Sequence, residues 1–124
     1  MEEFKLIIAG SRGFNDYEKM EKVVNNLISR VKDDKEIVII SGTAGGADKL
    51  GERYAVRNGY SLELMPADWN LHKKRAGYLR NRAMADIANA CIIFWDGVSP
   101  GSKHMYDICM KKKVPVRLIK YNNL

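Results

Sequence analysis

Two hydrophobic rhythms alternate along this chain, and that alternation constrains the fold most. Phe4-Lys5-Leu6-Ile7-Ile8-Ala9, Ile37-Val38-Ile39-Ile40 and Cys91-Ile92-Ile93-Phe94-Trp95 are short, nearly unbroken apolar runs. Runs of this kind suit strands covered on both faces. Ser61–Met65 alternates instead and predicts a shorter strand, and Val114–Ile119 predicts the last one. Between the runs, apolar residues recur three and four apart, the spacing of a helix with one buried face. The first such segment carries Met20, Val23, Val24, Leu27, Ile28 and Val31, and follows Asn15 and Asp16, both suited to an N-cap. The second runs from about Ala47 to Arg57 and stops at Asn58-Gly59. A basic loop, His72-Lys73-Lys74-Arg75, leads to a third that reaches Asn89, and a fourth runs from Gly101 to about Lys112. The order βαβαβαβαβ predicts an α/β fold. It is expected to form one domain over residues 1–124, with a mostly parallel five-stranded sheet and helices on both faces.

Composition narrows the class. At 124 residues, 46% hydrophobic and 29% charged, the chain is globular rather than disordered or collagen-like. No apolar run approaches the ~20 residues of a membrane span, so no membrane partner is expected. The acidic start Met1-Glu2-Glu3 leads straight into a strand, which argues against a signal peptide. Two cysteines, Cys91 and Cys109, are too few for a disulfide framework, and a cytoplasmic location is expected. The net charge of +6 favours an anionic partner such as a nucleotide or a nucleic acid.

Parallel sheets bind ligands beyond the carboxyl ends of their strands, so the residues that follow each strand matter most. Three such segments are rich in Gly, Ser and Thr and run directly into helices. They are Gly10-Ser11-Arg12-Gly13, Gly42-Thr43-Ala44-Gly45-Gly46 and Ser99-Pro100-Gly101-Ser102. Glycine admits a close backbone approach, and the free N–H groups of a helix start point at an anion. Each loop alone also reads as an ordinary βα turn. Three at one sheet edge would line one crevice. Gly-x-Gly-x-x-Gly does not occur. The Gly46–Gly51 spacing of a Walker A loop lacks its Lys-Ser/Thr, and Gly51 falls inside the second helix. An ATPase or a standard NAD dehydrogenase is disfavoured.

Several side chains carry two readings. Asp48, in the first turn of its helix, either complements the helix dipole or accepts hydrogen bonds from a ribose or base. Asp96, ending the fourth strand, either faces the crevice or holds a turn. Arg80 and Asn81 offer forked donors to a phosphate, whereas Arg82 reads as solvent-facing. Lys73-Lys74-Arg75 and Lys111-Lys112-Lys113 also read as solvent-facing. His104 lies one turn into the fourth helix, within reach of a ligand. No second histidine is near it, so no metal site is expected. His72 reads as exposed, and Cys91 and Cys109 as core. Trp69 and Trp95 suit stacking on a base, core packing or a pocket rim.

In order along the chain stand Ile8-Ala9-Gly10-Ser11-Arg12, Ser41-Gly42-Thr43-Ala44-Gly45-Gly46-Ala47-Asp48, Pro66-Ala67-Asp68-Trp69, Arg80-Asn81-Arg82-Ala83-Met84 and Phe94-Trp95-Asp96-Gly97, then Gly101-Ser102-Lys103-His104. This series resembles the SLOG superfamily of Rossmann-like domains, in its small YspA/YpsA-related branch, over nearly the whole chain. The resemblance implies a three-layer domain that holds a nucleotide or nucleotide-derived ligand at the strand ends, as a sensor or processing module. With the loops, it makes Gly10, Ser11, Arg12, Gly42, Thr43, Gly45, Gly46, Asp48, Arg80, Asn81, Asp96, Gly101, Ser102 and His104 the expected ligand-binding set. Superfamily relatives are often dimers or larger, so a homo-oligomer is a further expectation.

The resemblance also implies two alternatives. Lonely-Guy phosphoribohydrolases cleave a nucleoside 5′-monophosphate to base and ribose phosphate. Their arginine four residues before a methionine is similar to Arg80 and Met84. Their Gly-Gly-x-Gly-Thr-x-x-Glu loop, however, puts Met105 where the catalytic glutamate stands. Methionine is no acid, base or cation stabiliser, so a hydrolase here would need non-standard catalytic residues, and none is assigned. The single-strand DNA-binding protein DprA has Ser-Gly-x-Ala-x-Gly-x-Asp and Arg-Asn-Arg motifs similar to Ser41–Asp48 and Arg80–Arg82. That likeness makes nucleic acid the second partner class.

Overall fold

A computed structural model describes residues 1–31 and 33–122. Five strands, β1 (Glu2–Gly10), β2 (Lys35–Ser41), β3 (Ser61–Leu64), β4 (Ala90–Trp95) and β5 (Val116–Lys120), form one sheet in the order β3-β2-β1-β4-β5. Every pairing is parallel. The helices are α1 (Tyr17–Ile28), α2 (Ala47–Asn58), α3 (Trp69–His72), α4 (Ala76–Ile87) and α5 (Pro100–Lys111), with a 3-10 turn at Lys73–Arg75.

Strand alternation divides the core in two. Leu6, Ile8, Ile39, Ile92 and Phe94 pack on one face with Met20 and Val24 of α1 and with Ala47, Tyr54 and Ala55 of α2. Ile7, Ala9, Ile40, Cys91 and Ile93 pack on the other with Met84 and Ala85 of α4 and Met105, Ile108 and Cys109 of α5. This is the three-layer, Rossmann-like arrangement that buried runs on both faces predict. The two cysteines are core, as read.

The ends of elements differ where side chains intervene. α1 stops at Ile28 rather than Val31, because the Ser29 hydroxyl donates to the Asn26 carbonyl at 2.7 Å and tight turns follow. Val31 still packs against the core. α4 stops at Ile87 rather than Asn89. Asn89 pairs instead with Lys5 of β1, accepting from its N–H at 2.7 Å and donating to its carbonyl at 2.8 Å. That exchange turns the chain into β4. The segment after β3 holds a helix the sequence reading lacked: Asp68 caps α3 by accepting from Leu71 N–H at 3.0 Å. Four residues are too few to show a helical period. β3 ends at Leu64, which is exposed, so its alternation is incomplete.

Connectivity places the site. From β1 the chain steps outward to β2 and β3, then returns across the sheet to β4 on the other side of β1. The connections after β1 and β4 therefore leave in opposite directions, and a crevice opens between them.

Candidate functional site

Gly10 ends β1 with φ +152°, and a Cβ there would lie 2.2 Å from the Phe94 carbonyl oxygen. Only glycine lets the ends of β1 and β4 approach so closely. Ser11 follows and is buried. Its N–H donates to the Phe94 carbonyl at 2.9 Å, and its hydroxyl accepts from Asp96 N–H at 3.0 Å. The Ser11 hydroxyl also meets that of Ser102, in the first turn of α5, at 3.5 Å. Ser11 thus joins β1, β4 and α5 beneath the crevice.

A cavity of about 550 Å³ opens above this junction. Its lining takes Gly10–Gly13 from β1 and the loop after it, Asp96 and Ser99 from the loop after β4, and Pro100, Gly101, Ser102 and Met105 from α5. Ala44 and Asp48 add to it, as do Trp69, Lys74, Gly77, Tyr78, Arg80, Asn81 and Met84 from α3, α4 and the turn between them.

Arg80 is half-buried and held from two sides. It donates to the Gly42 carbonyl through Nη1, and to Asn81 Oδ1 through Nε at 3.0 Å. Asn81 in turn donates to the Gly101 carbonyl at 3.3 Å and meets His104 Nδ1 at 3.2 Å. α4 and α5 are thereby locked at the cavity wall. Asp48, buried in the first turn of α2, accepts from Ala44 N–H at 3.1 Å. Burial pushes its carboxyl up to about 6, against the pull of that N–H and of Arg80. Burial also holds His104 below the usual imidazole value, against the pull of Asp107. Arg12 is exposed, and neither it nor Lys74 has an ion pair among the described residues.

The expected site residues divide. Gly10, Ser11, Arg12, Asp48, Arg80, Asn81, Asp96, Gly101 and Ser102 share the cavity lining. Gly42, Thr43, Gly45, Gly46 and His104 stand outside it. Gly46, at φ +69°, packs on the Ser11 and Arg12 carbonyls, either of which a Cβ would meet at 2.4 Å. Its loop therefore braces the first loop and touches the cavity mainly through Ala44 and Asp48. Asp96 is filled by its own turn: it accepts from Val98 N–H, Ser99 N–H and the Ser99 hydroxyl at 2.6–2.9 Å. Those donors hold its carboxyl down to about 2. Trp95 braces the same loop through its indole N–H to the Ser99 carbonyl at 3.0 Å.

Lys74 and Tyr78 are the residues the sequence reading missed. Lys74 looked like one member of a solvated basic run, and it is exposed, but it also edges the cavity. Tyr78 follows Gly77 at the start of α4, two residues before Arg80, and that proximity was the available signal.

Residues 4–72 match the family model YAcAr, described as the YspA, cpYpsA-related SLOG family. The chain belongs to this SLOG family. The family match takes in the loops after β1 and β2 and ends before Arg80 and α5. The chain is also similar to the Gene 61 protein of Mycobacterium phage D29. The two are 32% identical over 118 residues, which cover 90% of this chain and 93% of the phage protein. Among solved structures, DNA processing protein A (DprA) from Streptococcus pneumoniae superposes with a TM-score of 0.75 at 20% identity. The superposition covers 99% of this chain and 52% of that one, so this SLOG chain spans about half the length of its DprA neighbour. At that identity the likeness is one of fold. No helix among the described residues is long and apolar enough to cross a membrane.

Proposed function

We propose that this SLOG-family chain binds a nucleotide or nucleotide-derived small ligand in the crevice between β1 and β4, as a sensor or processing module. The cavity at the switch point carries the reading. Its roughly 550 Å³ falls in the range of small-ligand sites. Three cations, Arg12, Lys74 and Arg80, border it, and the N-terminus of α5 opens onto it. In this reading phosphate lies against Arg12-Gly13 and Gly101-Ser102, where free N–H groups and the helix dipole favour an anion. Arg80 supplies a guanidinium fixed in advance by Gly42 and Asn81, so little side-chain freedom is lost on binding.

A thermal-shift series with nucleoside mono- and diphosphates, ADP-ribose and NAD tests this. A ligand that binds only the folded state raises the melting temperature with concentration. At least one compound should do so, and Arg80→Ala should abolish the shift. Absence of any shift across the series, alike in both proteins, overturns the reading.

One observation favours a second reading, N-glycosidic hydrolysis of a nucleotide. Asp48 keeps its proton up to about 6, which suits a general acid near neutrality. Met105 lines the same cavity and offers no such group. Release of free base from nucleoside 5′-monophosphates, abolished in Asp48→Asn, would establish it; no release across all the common bases would dismiss it. Binding of single-stranded DNA would draw on the same cations and should weaken steeply with added salt.

A further inference from the structure

We propose that Trp69 and Tyr78 form a stacking wall for a planar base, so that this cavity selects a nucleotide over a sugar phosphate carrying the same anion. The inference rests on the nucleotide reading above and extends it to the end of the ligand far from the phosphate.

Both rings line the cavity, yet Trp69 stays 52% exposed and Tyr78 48% exposed. Large aromatic side chains left half in water at a cavity mouth have apolar area still to bury. The rings are also held in place. Asp68 caps α3 one residue before Trp69, and the indole reaches over Gly77, where a Cβ would lie 3.5 Å from Trp69 Cη2. The same point is 3.9 Å from Arg80 Nη2. The indole edge and the guanidinium therefore converge above the one residue of that turn with no side chain. Tyr78 is backed by the His104 ring, centroid to centroid 4.4 Å at 37°. His104 is itself fixed by Asn81, the residue that also accepts from Arg80.

One connected set thus brings a cation and two aromatic rings to the lining of one cavity. A lone phosphate or a ribose phosphate would leave those faces wet. A base attached to the phosphate would cover them. Stacking of this kind tolerates any base, because every base presents a π face. His104 acts here as a positioning residue for Tyr78.

The test is titration calorimetry of the full chain with AMP, GMP, UMP and ribose 5-phosphate. The three nucleotides should bind at least about tenfold tighter than ribose 5-phosphate, the scale of one stacked base. Trp69→Leu should erase most of that difference while leaving ribose 5-phosphate affinity unchanged. Tyr78→Leu should do the same, and Tyr78→Phe should keep wild-type selectivity. Equal affinities for AMP and ribose 5-phosphate in the wild-type protein would overturn the wall and leave the anion site standing. Equal losses for both ligands in Trp69→Leu would overturn it too. If none of the four binds, the wall as a selector of nucleotides falls, whereas the ligand reading stands or falls on the thermal-shift series with diphosphates, ADP-ribose and NAD.

Discussion

The hydroxyl of Ser11 accepts a hydrogen bond from the backbone N–H of Asp96 at 3.0 Å, across 85 residues of sequence. This bond joins the loop after β1 to the loop after β4 at the place where the strand order reverses, and it closes the floor of the crevice. Ser11→Ala removes the acceptor and leaves a half-buried N–H without a partner. Such a loss costs about 1–3 kcal/mol. The urea midpoint should fall accordingly, and an unchanged midpoint would mean that water replaces the hydroxyl at no cost.

Asp48 should make stability fall as pH rises from acid toward neutrality. Its folded carboxyl holds a proton up to about 6, whereas an ordinary aspartate releases it near 3.8. Between those values the folded state binds the extra proton, so stability declines with pH through that window and levels off above it. The full effect is on the order of 3 kcal/mol. Asp48→Asn keeps an oxygen for Ala44 N–H and removes the titration. Unfolding measured from pH 4 to pH 8 should therefore show the variant gaining on the wild-type protein as pH rises. A pH-independent difference would sink the idea.

Asp96 should act with the opposite sign. Its carboxyl is held down to about 2 by the N–H groups and hydroxyl of its own turn. The stability it contributes is complete above about pH 4 and is lost as pH falls from there toward 2. Asp96→Ala should lower the melting temperature at pH 7 and lower it progressively less in acid. A deficit of the same size at pH 7 and near pH 2 would contradict this.

Thr43 is a β-branched residue at φ +66°. That conformation costs a non-glycine residue about 1–2 kcal/mol. Glycine relieves the strain but adds about 0.5–1 kcal/mol of chain entropy to be lost on folding. Thr43→Gly should thus raise stability slightly, by up to ~1.5 kcal/mol. A lower urea midpoint would show that the threonine side chain contributes more than its backbone strain takes away.

Much of the fold is legible in the sequence, because strand and helix leave periodic marks in it. Leu6–Ala9 and Ile37–Ile40 read as strands buried on both faces, and each packs between helical layers. Gly10 and Ser11 stand out because a strand that stops in glycine and serine before a helix is a local event, visible without a partner. Short elements such as α3 leave no period, and the exchange between Asn89 and Lys5 that ends α4 joins residues far apart in sequence.

The candidate site was only partly legible, for a different reason. By itself the sequence determined the order of elements and the chemistry of each strand-end loop, since both arise from neighbouring residues. Only the tertiary structure decided which of those loops share a space. Placing β4 beside β1 brings Ser11 to Ser102 and opens the cavity between them, while Gly42–Gly46 becomes largely a brace behind it. The packing of α3 and α4 then turns Trp69, Lys74 and Tyr78 toward the same opening, and burial raises the Asp48 carboxyl. Desolvation and convergence depend on distances between remote segments, and those distances exist only once the sheet has formed.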